Sequence, residues 1–202
     1  MRPARIALAG AAALLSLAAF GCREGAAAPP MRVPGLALTA PQQQVIQQDA
    51  AYLDDHGIGK DASLLRSIDA GGRLRLAAAG DKYMAESEKD DNTPFAYTLG
   101  SDVHPHQPVA IVLAPRFFTQ ADPAAQASIF THELAHWQAY VTRGSSTEYD
   151  GYKAQFDLHK KVGLTDRDGL TYFMMLDGVA QYVVPKDKSY ANQPEVKAYM
   201  DQ

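Results

Sequence analysis

The chain has 202 residues, enough for one domain with its own core and some additional N-terminal sequence. Its formal net charge of −4 comes without a basic stripe or interleaved aromatic and basic residues, which argues against nucleic acid as a partner. A single cysteine, Cys22, excludes an internal disulfide.

Residues 1–20 carry Arg2 and Arg5 and then, from Ile6, only small or apolar residues and one serine. That is the pattern of a secretory signal, and it is short for a membrane span. Ala19-Phe20-Gly21-Cys22 resembles a bacterial lipobox. Residues 1–21 are therefore expected to leave as a lipoprotein-type signal, with Cys22 lipidated to anchor an exported, cell-envelope protein to the membrane. Residues 22–40, rich in Ala, Pro and Gly, read as a flexible tether, and the folded domain is expected over 41–202.

Within that domain, Val45, Ile46, Ala50 and Leu53 fall near helical spacing, and the helix ends at the His56-Gly57 turn. A shorter helix over 61–68 places Leu64, Leu65 and Ile68 on one side. Gly71-Gly72 introduces an alternating strand at 73–76. Residues 77–88 are ambiguous, and 89–93 form a polar loop. Strands follow at 95–99 and 109–113, the second bounded by Pro108 and Pro115. His104-Pro105-His106 precedes the last strand; it is a loop that can bring an imidazole to a cleft, although loop histidines are commonly only solvated.

The next helix carries the chemistry. Asp122-Pro123 is a start signal, nothing breaks the run to Thr142, and Gly144 stops it. Phe130, Leu134, Trp137 and Val141 make one apolar stripe. Away from that stripe stands His132-Glu133-x-x-His136. Residues four apart lie one above the other on a helix, so both imidazoles can meet one ion. Glu133 is about 100° round from His132 and about 60° from His136, beside the ion, where a carboxylate can take a proton from water.

On these residues the chain resembles the zincin group of metallopeptidases. The resemblance implies one Zn²⁺, a peptide or protein substrate, Glu133 as general base and a third protein ligand. It also implies an α+β domain, with a short antiparallel or mixed sheet before the motif helix, one strand edging the cleft, and further helices packed behind. In that group the third ligand is a distant Glu in gluzincins, His in metzincins and Asp in aspzincins; no Gly-x-x-His follows His136, which argues against the metzincin branch and leaves the choice among carboxylates to the rest of the chain.

Three carboxylates compete for that role. Ser145-Ser146-Thr147 offers caps for a helix over 148–162, closed by Gly163. Its opening segment, Glu148-Tyr149-Asp150-Gly151, resembles the Glu-x-x-Ala/Gly stretch that carries the third ligand in many gluzincin-like proteins, though only eleven residues separate it from His136. On the helical wheel Glu148 shares an inward face with Tyr152, Phe156 and His159. Asp150 falls on a charged stripe with Lys153 and Asp157, facing water.

The rival lies further on. Residues 165–168 look like a capping box opening a third helix, apolar nearly all round to Val184 and therefore expected to be buried. Asp177-Gly178-x-Ala180-x-Tyr182 within it resembles another gluzincin ligand segment with Asp in place of Glu. Glu148 is the expected ligand. Asp177 and Asp150 are the alternatives, and Asp177 is also placed to accept the outer N–H of a ligating histidine. Competing with the peptidase reading is a non-catalytic envelope lipoprotein that binds metal on the same scaffold.

Overall fold

A computed structural model of the chain describes residues 33–82, 94–163 and 169–202. The signal, Cys22, the first part of the tether, the stretch 83–93 and the capping box at 165–168 lie outside the described residues. The described residues form an α+β fold, as expected, with seven α-helices and one small mixed sheet.

The sheet contains β1 (Leu36–Ala37), β2 (Leu74–Leu76), β3 (Ala96–Leu99) and β4 (Ala110–Leu113), in the spatial order β1-β2-β4-β3. β4 pairs parallel with β2 and antiparallel with β3, opposing Thr98 to Ile111. Every residue of β4 is buried, which accounts for an apolar run without alternation. Among the described residues β3 lies at the edge. β1 pairs antiparallel with β2, so residues 36–37, expected within the tether, already belong to the sheet.

α1 (Ala40–Asp55) opens on a capping box: Gln42 Oε1 accepts from the Thr39 backbone N–H and from its hydroxyl, both at 2.9 Å. α2 (Gly59–Ala70) packs against it. A short α3 (Phe117–Gln120) leads into α4 (Pro123–Arg143), whose N-terminus is capped by the Asp122 carboxylate accepting from Ala125 N–H at 2.9 Å. Phe130, Leu134 and Trp137 of α4 are buried in one apolar cluster with Ile46, Leu53, Leu65, Ile111 and Leu113. Val141, expected on the same stripe, stands half exposed in the last turn, outside that cluster.

α5 (Glu148–Val162) packs along α4, on the side that carries the histidines. Behind it α6 (Leu170–Gly178), a wider helical turn at Val179–Val183, and α7 (Pro194–Met200) enclose a second cluster around Phe156, Met175, Leu176 and Val196. The third expected helix is thus not one regular helix to Val184: it widens after Gly178. Nor is it buried all round, since Leu170, Phe173 and Tyr182 are exposed. The metal motif sits where α4, α5 and the edge strand β3 meet, between the two clusters.

Candidate metal centre

His132 and His136 leave α4 one turn apart, and their Nε2 atoms face each other at 3.0 Å. Glu148, the first residue of α5, brings Oε2 to 3.3 Å from Nε2 of His132 and 3.8 Å from Nε2 of His136. Among the described residues these three form the single group of donors close enough to hold a metal ion. A point about 2.0 Å from all three atoms lies inside their triangle, close to the roughly 2.0–2.2 Å that zinc takes to imidazole nitrogen and carboxylate oxygen. One carboxylate and two imidazoles leave a fourth position open, as a catalytic ion requires.

The close approach of α5 to α4 is made possible by Gly151. A Cβ there would stand 2.5 Å from Cε1 and Nε2 of His132, so any side chain would push the helix off the imidazole. The Glu-x-x-Gly spacing therefore has a steric meaning: the Glu148 carboxylate stands one turn before the point of contact.

The carboxylates beside the two imidazoles favour positive charge at one of them. Burial works against the charge on His132, but the carboxylates of Glu148 and Glu133 raise its pKa above the ordinary value. Burial and the adjacent charge on His132 hold His136 at about 4. The hydrogen bond from His132 is the main cause that keeps Glu148 below the usual carboxylate range. A proton on His132 thus competes directly with a cation.

The outer nitrogens of the imidazoles have different partners from those expected. Nδ1 of His132 lies 3.3 Å from Oε1 of Gln155, whose amide Nε2 donates to Ser128 Oγ at 2.9 Å. Nδ1 of His136 lies 2.5 Å from Ser146 Oγ. An accepting oxygen at Nδ1 keeps the proton on that nitrogen and leaves the Nε2 lone pair for the ion. Asp177 takes no part: its carboxylate accepts from Tyr199 O–H at 3.0 Å and from Gln181 Nε2 at 2.7 Å.

Asp150 is corrected as well. It does not face water. Its carboxylate folds back to accept from the Thr147 backbone N–H at 3.0 Å and pairs with Arg143 at 2.7 Å, closing a capping box in which it is largely buried. His104 and His106 are exposed and outside the donor group; Nδ1 of His106 meets the Val141 carbonyl at 3.2 Å, at the C-terminal end of α4.

Glu133 is 5% exposed and has a different set of neighbours. Thr98 of β3 sits with Oγ1 2.7 Å from its Oε2 and 3.0 Å from its backbone carbonyl. Oε1 has no hydrogen-bond partner among the described residues. Burial raises the Glu133 pKa, against the lowering pull of His132 and Thr98. The residue lines a cleft of about 440 Å³ shared with His132, His136, Glu148, Tyr97 and Tyr140.

Tyr152, one turn after Glu148, forms a further wall. Its ring meets His132 edge-on at 4.6 Å and stacks on Tyr182 at 5.7 Å. It can do so because Gly178 lacks a Cβ, which would collide with the ring; this is what the mid-helix glycine is for. Burial raises the Tyr152 pKa, so the phenol stays protonated.

Thr98 and Gln155 were not singled out from the sequence, while Ser146 was read only as a cap and Tyr152 only as a neighbour of Glu148 on the inward face of α5. Gln155 stands seven residues after Glu148 and hence on that same face. No protein-family model, curated protein or solved structure matches the chain. The reading of the site therefore rests on its own geometry.

Proposed function

We propose that the protein is a zinc-dependent hydrolase of peptide bonds, with His132, His136 and Glu148 as ligands and Glu133 as general base. One observation carries this reading. A triangle of three donors that could hold an ion lies beside a buried carboxylate with one oxygen that has no hydrogen-bond partner among the described residues, at the edge of an open cleft.

Zinc bound there would supply Lewis-acid chemistry, polarising a substrate carbonyl and lowering the pKa of its water towards ~7. The residues of the chain do the remainder. Thr98 holds Oε2 of Glu133, which leaves Oε1 to take a proton from the attacking water. Burial moves the carboxylate's base strength towards neutrality, where such a transfer is most effective. The oxygen of that water adds to the carbonyl carbon, and Glu133 then passes its proton to the amide nitrogen as the C–N bond breaks, giving a carboxylic acid and an amine. Ser146 and Gln155 keep the imidazoles oriented throughout.

β3, the edge strand among the described residues, runs beside the cleft through Ala96, Tyr97 and Thr98, where an extended peptide would lie along the sheet. We place the protein in the cell envelope on the strength of the N-terminal signal and Cys22. No helix among the described residues is long and apolar enough to cross a membrane.

Two results are expected from metal titration against a competing chelator. Glu148→Ala loses more than about 100-fold in zinc affinity, because a ligand is gone, whereas Asp177→Ala binds zinc as the wild type does. Zinc retention by Glu148→Ala together with loss in folded Asp177→Ala would move the ligand to α6. Secondly, Ser146→Ala and Gln155→Ala each weaken zinc binding by about 10–100-fold with all three ligands still present. Unaltered affinity in both variants would show that the imidazoles need no outer partner.

A further inference from the structure

The cleft over the metal triangle does not end at Tyr140. It runs on into a groove of about 550 Å³, and Tyr97, Thr98, Tyr140 and Ser146 wall both spaces. A molecule seated over His132 and Glu133 therefore has a continuous path away from the reacting bond. Beyond Tyr140 the groove lies between the chain after β3, through Asp102 and Pro105, and Gly144 and Ser145 at the end of α4. Gly100 makes room for the Tyr140 ring, with which a Cβ would collide. The connection from β3 to β4 is held in place on both sides. Ser101 Oγ accepts from His104 N–H at 2.9 Å, and the Leu99 carbonyl accepts from Val109 N–H at 2.7 Å. Across the groove, Pro105 and His106 lie against Gly144, where a Cβ would stand only 3.2–3.3 Å from them.

Charge along this path has one sign. Apart from the two histidines, the ionisable acids and bases of its described walls are Glu133, Glu148 and Asp102, with no lysine or arginine. A Zn²⁺ ion would be matched by Glu133 and Glu148, which leaves Asp102 as the charge in excess. The Asp102 carboxylate is exposed and has no hydrogen bond or ion pair among the described residues. The same end of the groove is the C-terminus of α4, a 21-residue helix whose dipole adds partial negative charge there. Arg143, the cation of that last turn, is already paired with Asp150 at 2.7 Å.

We infer that this groove selects substrates that carry a lysine or arginine a short way from the cut bond, with Asp102 receiving the cation. The inference rests on the hydrolase reading above, and the experiment separates the two. Chain geometry sets the distance. Thr98 touches Glu133, and Asp102 is four residues further on, at most roughly 13 Å along an extended backbone at about 3.3 Å per residue. An extended substrate on the same course brings a residue about two to four places from the cut bond level with Asp102. Peptides of one neutral polar sequence, blocked at both ends, are made with Lys, Arg, Gln or Glu at a single scanned position. A further set is neutral with a free amino end. Mass spectrometry gives the cut positions, KM and kcat with zinc-loaded protein. In parallel, calorimetry measures binding of the Lys, Gln and Glu peptides to zinc-loaded Glu133→Gln, which should bind without cutting.

Lys and Arg, at one fixed distance from the cut, are expected to lower KM about three- to tenfold relative to Gln, with Glu poorer than Gln. The gain should disappear at about 1 M salt, where exposed charges are screened within about 3 Å. Asp102 is exposed and outside the metal site, so its substitutions should leave the fold intact. Asp102→Asn should abolish the preference, and Asp102→Lys should invert it in favour of Glu. Equal KM for the Lys, Gln and Glu peptides, or a preference for Lys that survives in Asp102→Lys, would overturn the inference and leave the hydrolase standing. A gain from the free amino end alone, with none from Lys or Arg, would overturn it too. Tighter binding of the Lys peptide to Glu133→Gln, lost on adding Asp102→Asn and with no cleavage by the wild type, would keep the groove and overturn the hydrolase. Binding indifferent to charge, without cleavage, would remove both.

Discussion

Glu133→Gln is expected to bind a full equivalent of zinc and to hydrolyse peptides about 100- to 10,000-fold more slowly than the wild type, the range for loss of a general acid–base group. The amide is nearly isosteric and can still accept the hydrogen bond from Thr98, so the pocket keeps its shape. What it loses is the capacity to take a proton. His132→Ala and His136→Ala differ in kind, since they remove metal and activity together. Metal content and kcat measured on the same preparations separate the two patterns. A Glu133→Gln protein that cannot hold zinc would make Glu133 a ligand or a structural prop and end its assignment as base. Full zinc with undiminished hydrolysis would end it equally.

The second large effect lies far from chemistry. Asp49, on α1, is fully buried, and neither carboxylate oxygen has a hydrogen-bond partner among the described residues. Burial alone pushes its pKa from 3.8 up to about 8. In the folded state the group therefore holds its proton until about pH 8, whereas in the unfolded chain it ionises near pH 4. Between those values the folded state binds the extra proton, and stability falls as pH rises. The slope approaches about 1.4 kcal/mol per pH unit.

Asp49→Asn removes that slope. Below pH 4 both side chains are neutral, buried and unpartnered, and the two proteins should be of similar stability. By pH 8 the variant should be the more stable by several kcal/mol, on the order of 4–6 if the carboxylate keeps its full burial. Urea denaturation from pH 4 to 9, with chelator present so that metal binding does not contribute, measures this difference. Parallel pH profiles for the two proteins would mean that Asp49 is hydrated or paired in solution. Helical spacing already puts Asp49 on the side of α1 that carries Ile46 and Leu53, three residues after the one and four before the other.

Sequence and tertiary structure contributed at different distances along the chain. Start and stop of α4, the pairing of His132 with His136, the offset of Glu133, and the boundaries of α5 were all legible. Each depends on caps and on the 3.6-residue period, which act over one or two turns. Glu148 was legible as the foremost of three carboxylates, but the wheel misjudged its rival. Asp150 turned inward because a cap at Thr147 and an ion pair with Arg143 outweigh its place on a charged stripe.

Three things were decided only by tertiary packing: that Ser146 and Gln155, rather than Asp177, meet the imidazoles; that Thr98 reaches Glu133 from the edge strand; and that α6 widens after Gly178. The physical reason is common to all of them. A helix period says which way a side chain points, but its partner depends on how closely two elements approach. Here that distance is set by two missing Cβ atoms, with Gly151 against His132 and Gly178 against Tyr152, between residues that the chain brings together only when folded.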